Sequence, residues 1–396
     1  MISARQVVAG LGFALALGAA PVPACAQGAA RFAPGASASM PFEYFRGARI
    51  ILPVKVNGHP VDAVLDSGAG IVTLDKAFAA GIGIVPTGKI PINGMNAGAQ
   101  AATAKHVTID VGGLRLRDVE VAIVDLSSVA AGLGRPLPLI LGRDAFDAAV
   151  VDIDFPGRKI AFRNPAAFHP PAGAIRLPLT PTPDRLHEVP MSLEGGAPVR
   201  TTFDLGSSTA VYVSHAYAIR RQLLKTHPAA EILAGGFGGS AVQDITTLKS
   251  IRLGGVELRD VPAIINRSAT DLPSTGMNVG MPVLNRFRLM IDFRRATLFL
   301  LPDNLALAAP FEKDRTGLGV RFAGDRLTVA FVTPGGPADR AGWKVGEQIT
   351  AVAGEPVGPG FYSGPHAGWA MGPAGESVEL TVGDGSRRRL VLEDYY

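Results

Sequence analysis

Apolar residues in this chain come in short runs broken by glycine, proline and asparagine, a rhythm that suits strands rather than long helices. Ile50 to Val56 is such a run. Asn57-Gly58 follows as a two-residue hairpin turn, and Val61 to Leu65 reads as the return strand. Gly112-Gly113 and Gly254-Gly255 turn further hairpins. Thr73 to Ala80 and His215 to Leu224 read as short helices. The Pro-rich stretch from Asn164 to Pro183 reads as a linker, and Leu301 to Arg315 leads into a third unit. In that unit Leu327 to Val332, Ser377 to Val382 and Arg388 to Leu392 read as strands. The pattern predicts a mostly β protein.

The chain repeats itself. Gly58-His59-Pro60-Val61 precedes Asp66, and Gly196-Ala197-Pro198-Val199 precedes Asp204, 138 residues later. Leu139-Ile140-Leu141-Gly142 and Met277-Asn278-Val279-Gly280 stand at the same offset, as do Ile153-Asp154-Phe155 and Ile291-Asp292-Phe293. Val111 to Val119 matches Leu253 to Val261 at an offset of 142, so the second copy gains four residues before this hairpin and loses them after it. Two homologous lobes are expected, at 47–165 and 172–303, with a third domain at 314–396 that carries its own turns and strands, so the two-lobe core is expected to stay folded without it.

The repeat register picks out the candidate chemistry. Asp-x-Gly alone is cheap in a chain with 48 glycines, and Asp110-Val111-Gly112 is an instance in an ordinary hairpin. Asp66-Ser67-Gly68-Ala69 and Asp204-Leu205-Gly206-Ser207 differ from it: each follows an apolar strand, and each Asp lies 76 residues before the glycine of an apolar-Gly element. Two pseudo-symmetric lobes can bring two such loops face to face. Two carboxylates about 3 Å apart cannot both ionise cheaply and share one proton. The ionised member is then a base for water, and the protonated member a donor to a carbonyl. Glycine suits these loops because they approach closely and their N–H groups must reach the carboxylates.

At these residues the lobes resemble the retropepsin-like aspartic protease family in its bacterial two-lobe form. The Asp-Thr/Ser-Gly-Ala loop of the family maps onto 66–69. Its apolar-apolar-Gly element maps fully onto 140–142 and partly onto 278–280, because Asn278 is polar. The resemblance implies two pseudo-symmetric β-barrel lobes, Asp66 and Asp204 as the catalytic pair, and flaps over an extended peptide. Ser67, Gly68, Ala69, Leu205, Gly206 and Ser207 are then the supporting loop residues. Leu205 stands where the family has a Thr or Ser whose hydroxyl bonds across to the opposite loop. Gly94 to Gly98 and Gly235 to Gly239 are the candidate flap tips. The C-terminal unit resembles a PDZ domain, most specifically over Pro334 to Gly342 and Val345 to Ile349. Gly317-Leu318-Gly319-Val320 then corresponds to the loop whose successive N–H groups capture a peptide terminus.

Composition narrows the alternatives. The charge of +4 comes from 38 basic against 34 acidic residues, with no Lys/Arg-dense tract, so nucleic acid is not an expected partner. The seven histidines form no His-x-x-x-His pair, and no Gly-x-Ser-x-Gly elbow occurs. No metal or cofactor is called for. Residues 1–26 read as an export signal: Arg5 is the positive charge, Val7 to Ala20 is apolar but too short to span a membrane, and Ala24-Cys25-Ala26 fits a cleavage site. Lipidation at Cys25 is the rival reading, which Pro23 fits poorly. No later segment has 18 consecutive apolar residues, so the mature chain is expected in the periplasm or secreted, without a transmembrane segment. The expected function is an exported aspartic endopeptidase acting on polypeptides. The alternative is a protease-like scaffold, inactive through Leu205, that binds peptides.

Overall fold

The computed structural model describes residues 30–32, 39–93, 98–236, 239–268 and 277–396. The export-signal reading and Cys25 lie outside the described residues, as do 94–97 and 237–238 at the candidate flap tips.

The protein is mostly β. Arg49–Val56 and His59–Leu65 pair through the expected turn, where Asn57 and Gly58 have φ of +49° and +87°. Asn and Gly adopt this left-handed geometry with little strain. The strand path runs on from His59–Leu65 through Leu139–Leu141 and Thr73–Asp75 to Leu114–Val124, and from Arg49–Val56 to Gly98–Val111. Gly98–Val111 also pairs with Leu114–Val124, so the sheet curls closed around its apolar side chains. The second lobe repeats this path with His187–Leu193, Val199–Phe203, Asn278–Val279, Val211–Val213, Val256–Ile265 and Gly239–Leu253, and the first and last of these again pair.

Two helices differ from expectation. Thr73, Leu74 and Asp75 extend as a strand against Leu139 and Ile140 before the helix begins at Lys76, because sheet pairing outweighs local helical preference. Asp75 caps that helix, accepting from the N–H groups of Ala77 and Phe78. The second lobe's helix stops at Arg221 and restarts at Leu223, interrupted by Gln222 at φ +54°.

A six-stranded sheet joins the lobes. Val150–Asp154 of the first pairs antiparallel with Phe287–Asp292 of the second, setting Val151 against Ile291 and Ile153 against Leu289. Buried Asp152 accepts from the guanidinium groups of both Arg163 and Arg288, at 2.7 and 2.9 Å. The expected linker contributes Ile175–Pro178 as an edge strand of this sheet, where proline is tolerated.

The C-terminal unit is a sheet of Leu318–Phe322, Leu327–Val332, Gln348–Val352, Ser377–Val382 and Arg387–Val391, with a short helix at Pro337–Arg340. Its Gly/Pro-rich segment between the third and fourth of these strands forms two 3-10 turns, Phe361–Ser363 and Trp369–Met371. The unit packs on both lobes. One apolar cluster runs from Ile71 and Ile140 of the first lobe into Trp343, Phe361 and Tyr362. Arg46 stacks on the Tyr362 ring at 3.7 Å. The tail crosses to the second lobe, where Tyr396 packs among Tyr212, Ile232, Ile245 and Ile264 and its carbonyl oxygen accepts from Thr247.

Candidate active site

Each aspartate sits where a strand of its lobe ends. Asp66 follows His59–Leu65 and its N–H donates to Leu141 O at 3.0 Å; Asp204 follows Val199–Phe203 and donates to Val279 O at 3.1 Å. The apolar-Gly elements therefore lie beside the loops and hold them. Arg143 N donates to Ala69 O and Met281 N to Ser207 O, both at 2.9 Å. A Cβ on Gly142 would lie 2.6 Å from Ala69 O, and one on Gly280 would lie 2.2 Å from Thr209 O, so both positions exclude any side chain. Gly142 and Gly280 have extended backbone, and space rather than φ demands the glycine.

The lobes bring the two carboxyls into hydrogen-bond contact, and both are buried. Gly68 N donates to Asp66 Oδ1 at 2.7 Å and Gly206 N to Asp204 Oδ1 at 2.8 Å. A Cβ on Gly206 would fall 2.3 Å from the Asp66 carboxyl, and one on Gly68 would fall 2.7 Å from Asp204 Oδ1. Each loop's glycine thus packs on the opposite aspartate. Ser67 spans the lobes: its hydroxyl donates to Phe203 O at 3.1 Å and accepts from Leu205 N at 2.9 Å. Leu205 returns no such bond and is wholly buried in the apolar core. Ser207 turns back on its own loop, its hydroxyl accepting from Thr209 N, and Ala69 is buried.

The environment separates the two acids. Burial, and then the charge of Asp204, hold the Asp66 carboxyl well above its ordinary 3.8. Burial also raises Asp204, but Asn278 opposes it, donating from Nδ2 to Asp204 Oδ2 at 2.7 Å. Arg49, buried beside both, is itself pulled down to about 10 by loss of solvent, while the two aspartates favour its charge. A buried pair of acids in contact, one of them kept neutral, is the arrangement expected of a dyad that activates water.

An aspartyl protease family model matches residues 52–145 and 189–283, one segment around each aspartate, and a PDZ domain model matches 328–382. The chain thus carries two retropepsin-like aspartyl protease segments, one in each lobe, followed by a C-terminal PDZ domain. No curated protein matches it.

In this retropepsin-like scaffold a cavity of about 610 Å³ opens beside the second loop, lined among others by Arg49, Ser208, Thr209, Ala210, Ile264 and Tyr396. The PDZ loop departs from the expectation of N–H groups turned to a peptide terminus. Gly317 N donates to the Asp314 carboxyl at 3.1 Å, and Leu318 N to Thr316 Oγ1 at 3.0 Å. Buried Asp314, held also by the Tyr395 hydroxyl at 2.7 Å, takes the place of an incoming carboxylate at Gly317. The hollow beside Gly317, Leu318, Gly319 and Val320 is only about 80 Å³ and is walled by Arg46, Ile232 and Leu233 of the lobes.

Sequence reasoning missed two residues of the site. Asn278 stood out as a polar departure from the apolar-Gly element but was given no role. Arg49 gave one signal, a charge at the head of the apolar run Ile50 to Val56, and it could not be weighed without knowing which way the strand end faces.

Proposed function

We propose that this protein is an exported aspartic endopeptidase that hydrolyses peptide bonds with a water activated by Asp66 and Asp204, in the periplasm or the secreted space. The observation that carries the reading is the contact of the two buried carboxyls across the lobes, since a separation beyond about 5 Å would leave each to ionise alone. The ionised member takes a proton from water as its oxygen attacks the carbonyl carbon; the protonated member donates to the carbonyl oxygen. The tetrahedral diol then collapses, and the amine leaves with a proton. No covalent intermediate is needed. The PDZ domain would engage substrate or a partner peptide.

The test is digestion of unfolded protein across pH by wild type, Asp66→Asn and Asp204→Asn. Cleavage by wild type alone supports the reading, and a pepstatin-type inhibitor, whose hydroxyl mimics the diol, should block it. If Asp204→Asn kept full activity, a pair formed between first lobes of two copies would be the better reading. Leu205 favours a second reading, a peptide-binding scaffold without turnover; wild type that binds unfolded peptides but never cleaves them would establish it.

A further inference from the structure

Apart from Ser67 facing Leu205 and Ala69 facing Ser207, the two carboxyls are held alike except at one position. Each carboxyl accepts one glycine N–H from its own loop, at 2.7 Å and 2.8 Å, and each meets the other carboxyl. The charged groups that bear on the pair are the two aspartates themselves and Arg49, which reaches both. The apolar-Gly elements place Ile140 beside Thr73 in the first lobe and Asn278 beside Tyr212 in the second. Ile140 has nothing to donate. Asn278 donates to Asp204 at 2.7 Å.

We propose that Asn278 is a positioning residue that polarises the pair, holding Asp204 as the ionised base and leaving the shared proton on Asp66. A hydrogen bond to a charged acceptor is worth more than one to a neutral acceptor, so the donor stabilises the ionised form of the acid it touches. The amide orientation fits: Asn278 Oδ1 is buried without a protein partner, and turning the amide over would set that oxygen against Asp204 Oδ2. Burial pushes both acids up, and the Asn278 bond opposes that rise at Asp204, in agreement with this geometry.

The assignment orders the protons in the proposed reaction, and for that ordering it rests on the proteolytic reading above. Water adds to the carbonyl carbon, its proton passes to Asp204, and the proton of Asp66 passes to the carbonyl oxygen. On collapse the C–N bond breaks, Asp204 gives its proton to the amine nitrogen, and a hydroxyl proton of the diol returns to Asp66. The pair ends as it began.

Two measurements test it on the full chain. Aspartate-labelled wild type is titrated by carboxyl ¹³C NMR, and kcat/KM against pH is measured on a fluorogenic peptide for wild type and for Asn278→Leu, which keeps the shape of the side chain but has no donor. With one proton on the pair, the Asp66 carboxyl should read protonated and Asp204 ionised. In Asn278→Leu the acid limb of the profile, and the Asp204 titration, should move up by about one pH unit. A purely structural role would change melting temperature or kcat and leave the limb in place. The inference is overturned if the proton sits on Asp204 in wild type, or if neither limb nor titration moves. Should wild type cleave nothing, the proteolytic reading fails by itself, and the carboxyl titration still decides where the proton resides. Should Asn278→Leu not fold, the wild-type titration decides alone.

Discussion

A carboxyl that stays protonated in the fold binds a proton that the unfolded chain releases. The sign follows directly: with Asp66 held well above 3.8, its contribution to stability is full below that pH and is lost as pH rises through the folded value. Asp66→Asn removes the titration and keeps the shape. It should therefore abolish cleavage yet be more stable than wild type at neutral pH, by about 0.5–2 kcal/mol, the range common for single stabilising substitutions. The gain should vanish near pH 4. Asp144 and Asp314, also buried and raised, titrate in both proteins and cancel from the difference. Thermal melts of the two proteins from pH 4 to 8 check this, and equal curves would mean that Asp66 is ionised in the fold. Ser67 and Leu205 make the second residue-scale case. Ser67→Ala leaves Phe203 O and Leu205 N buried without a partner, costing about 1–3 kcal/mol and loosening the pair, so stability and turnover should fall together. Leu205→Thr should split them: lost packing in a fully buried site lowers the melt by about 1–3 kcal/mol, while a hydroxyl able to cross to the first loop raises turnover a few-fold. A variant that melts lower and is also slower would mean that this lobe is adapted to leucine.

At the scale of elements, the site is two strand ends, two loops and two apolar-Gly segments, locked by close backbone approach. Gly280→Ala forces a Cβ to 2.2 Å from Thr209 O, which is backbone and cannot swing away, so about 1–3 kcal/mol or more should be lost with displacement of the second loop. Gly206→Ala acts differently. Its Cβ meets the Asp66 carboxyl first, a side chain rather than backbone, so the protein should fold and lose activity as the pair is pushed apart. Calorimetry alongside peptide turnover separates the two. The repeat that exposed these elements was legible because homologous lobes keep the same spacing from Asp to glycine, and the hairpins at Asn57-Gly58, Gly112-Gly113 and Gly254-Gly255 were legible because their turns demand those residues. What could not be read was tertiary. Thr73 to Asp75 became a strand through pairing with Leu139 and Ile140, and the inward turn of Asn278 and Arg49 depends on which face of a strand end meets the opposite lobe. A polar residue in an apolar motif signals that something is bonded there without naming the partner.

The whole molecule is more tightly knit than three units in series. The PDZ domain buries Trp343, Phe361 and Tyr362 in the same cluster as Ile71 and Ile140, which flank the first aspartate loop and its apolar-Gly element. Thr333 donates to Glu231 O at 2.9 Å, and Ile232 in the same strand of the second lobe's long hairpin packs on Tyr396. Removing 314–396 would therefore open apolar surface on both lobes at once, including the walls around Tyr212 and Ile264 where the tail now sits. Contiguous exposed apolar patches of this kind drive aggregation. The truncated chain should be poorly soluble, or should melt well below the full protein, in contrast to the free-standing core that the sequence led us to expect. Solubility alone would not distinguish a missing structural brace from a missing solubilising domain, so a gentler cut is needed. Changing Tyr396 to Ala removes the tail's grip on the second lobe while leaving the Tyr395 bond to Asp314 in place; loss of a buried aromatic costs about 3–5 kcal/mol in a packed core, and less where the surface can collapse. If the tail braces the hairpin strand Ala229–Gly236, this variant should melt lower and exchange the amide hydrogens of that hairpin faster, with Leu327–Val332 and Ser377–Val382 unaffected. Uniform faster exchange across the PDZ strands instead would place the tail's role within that domain and would leave the lobes independent of it.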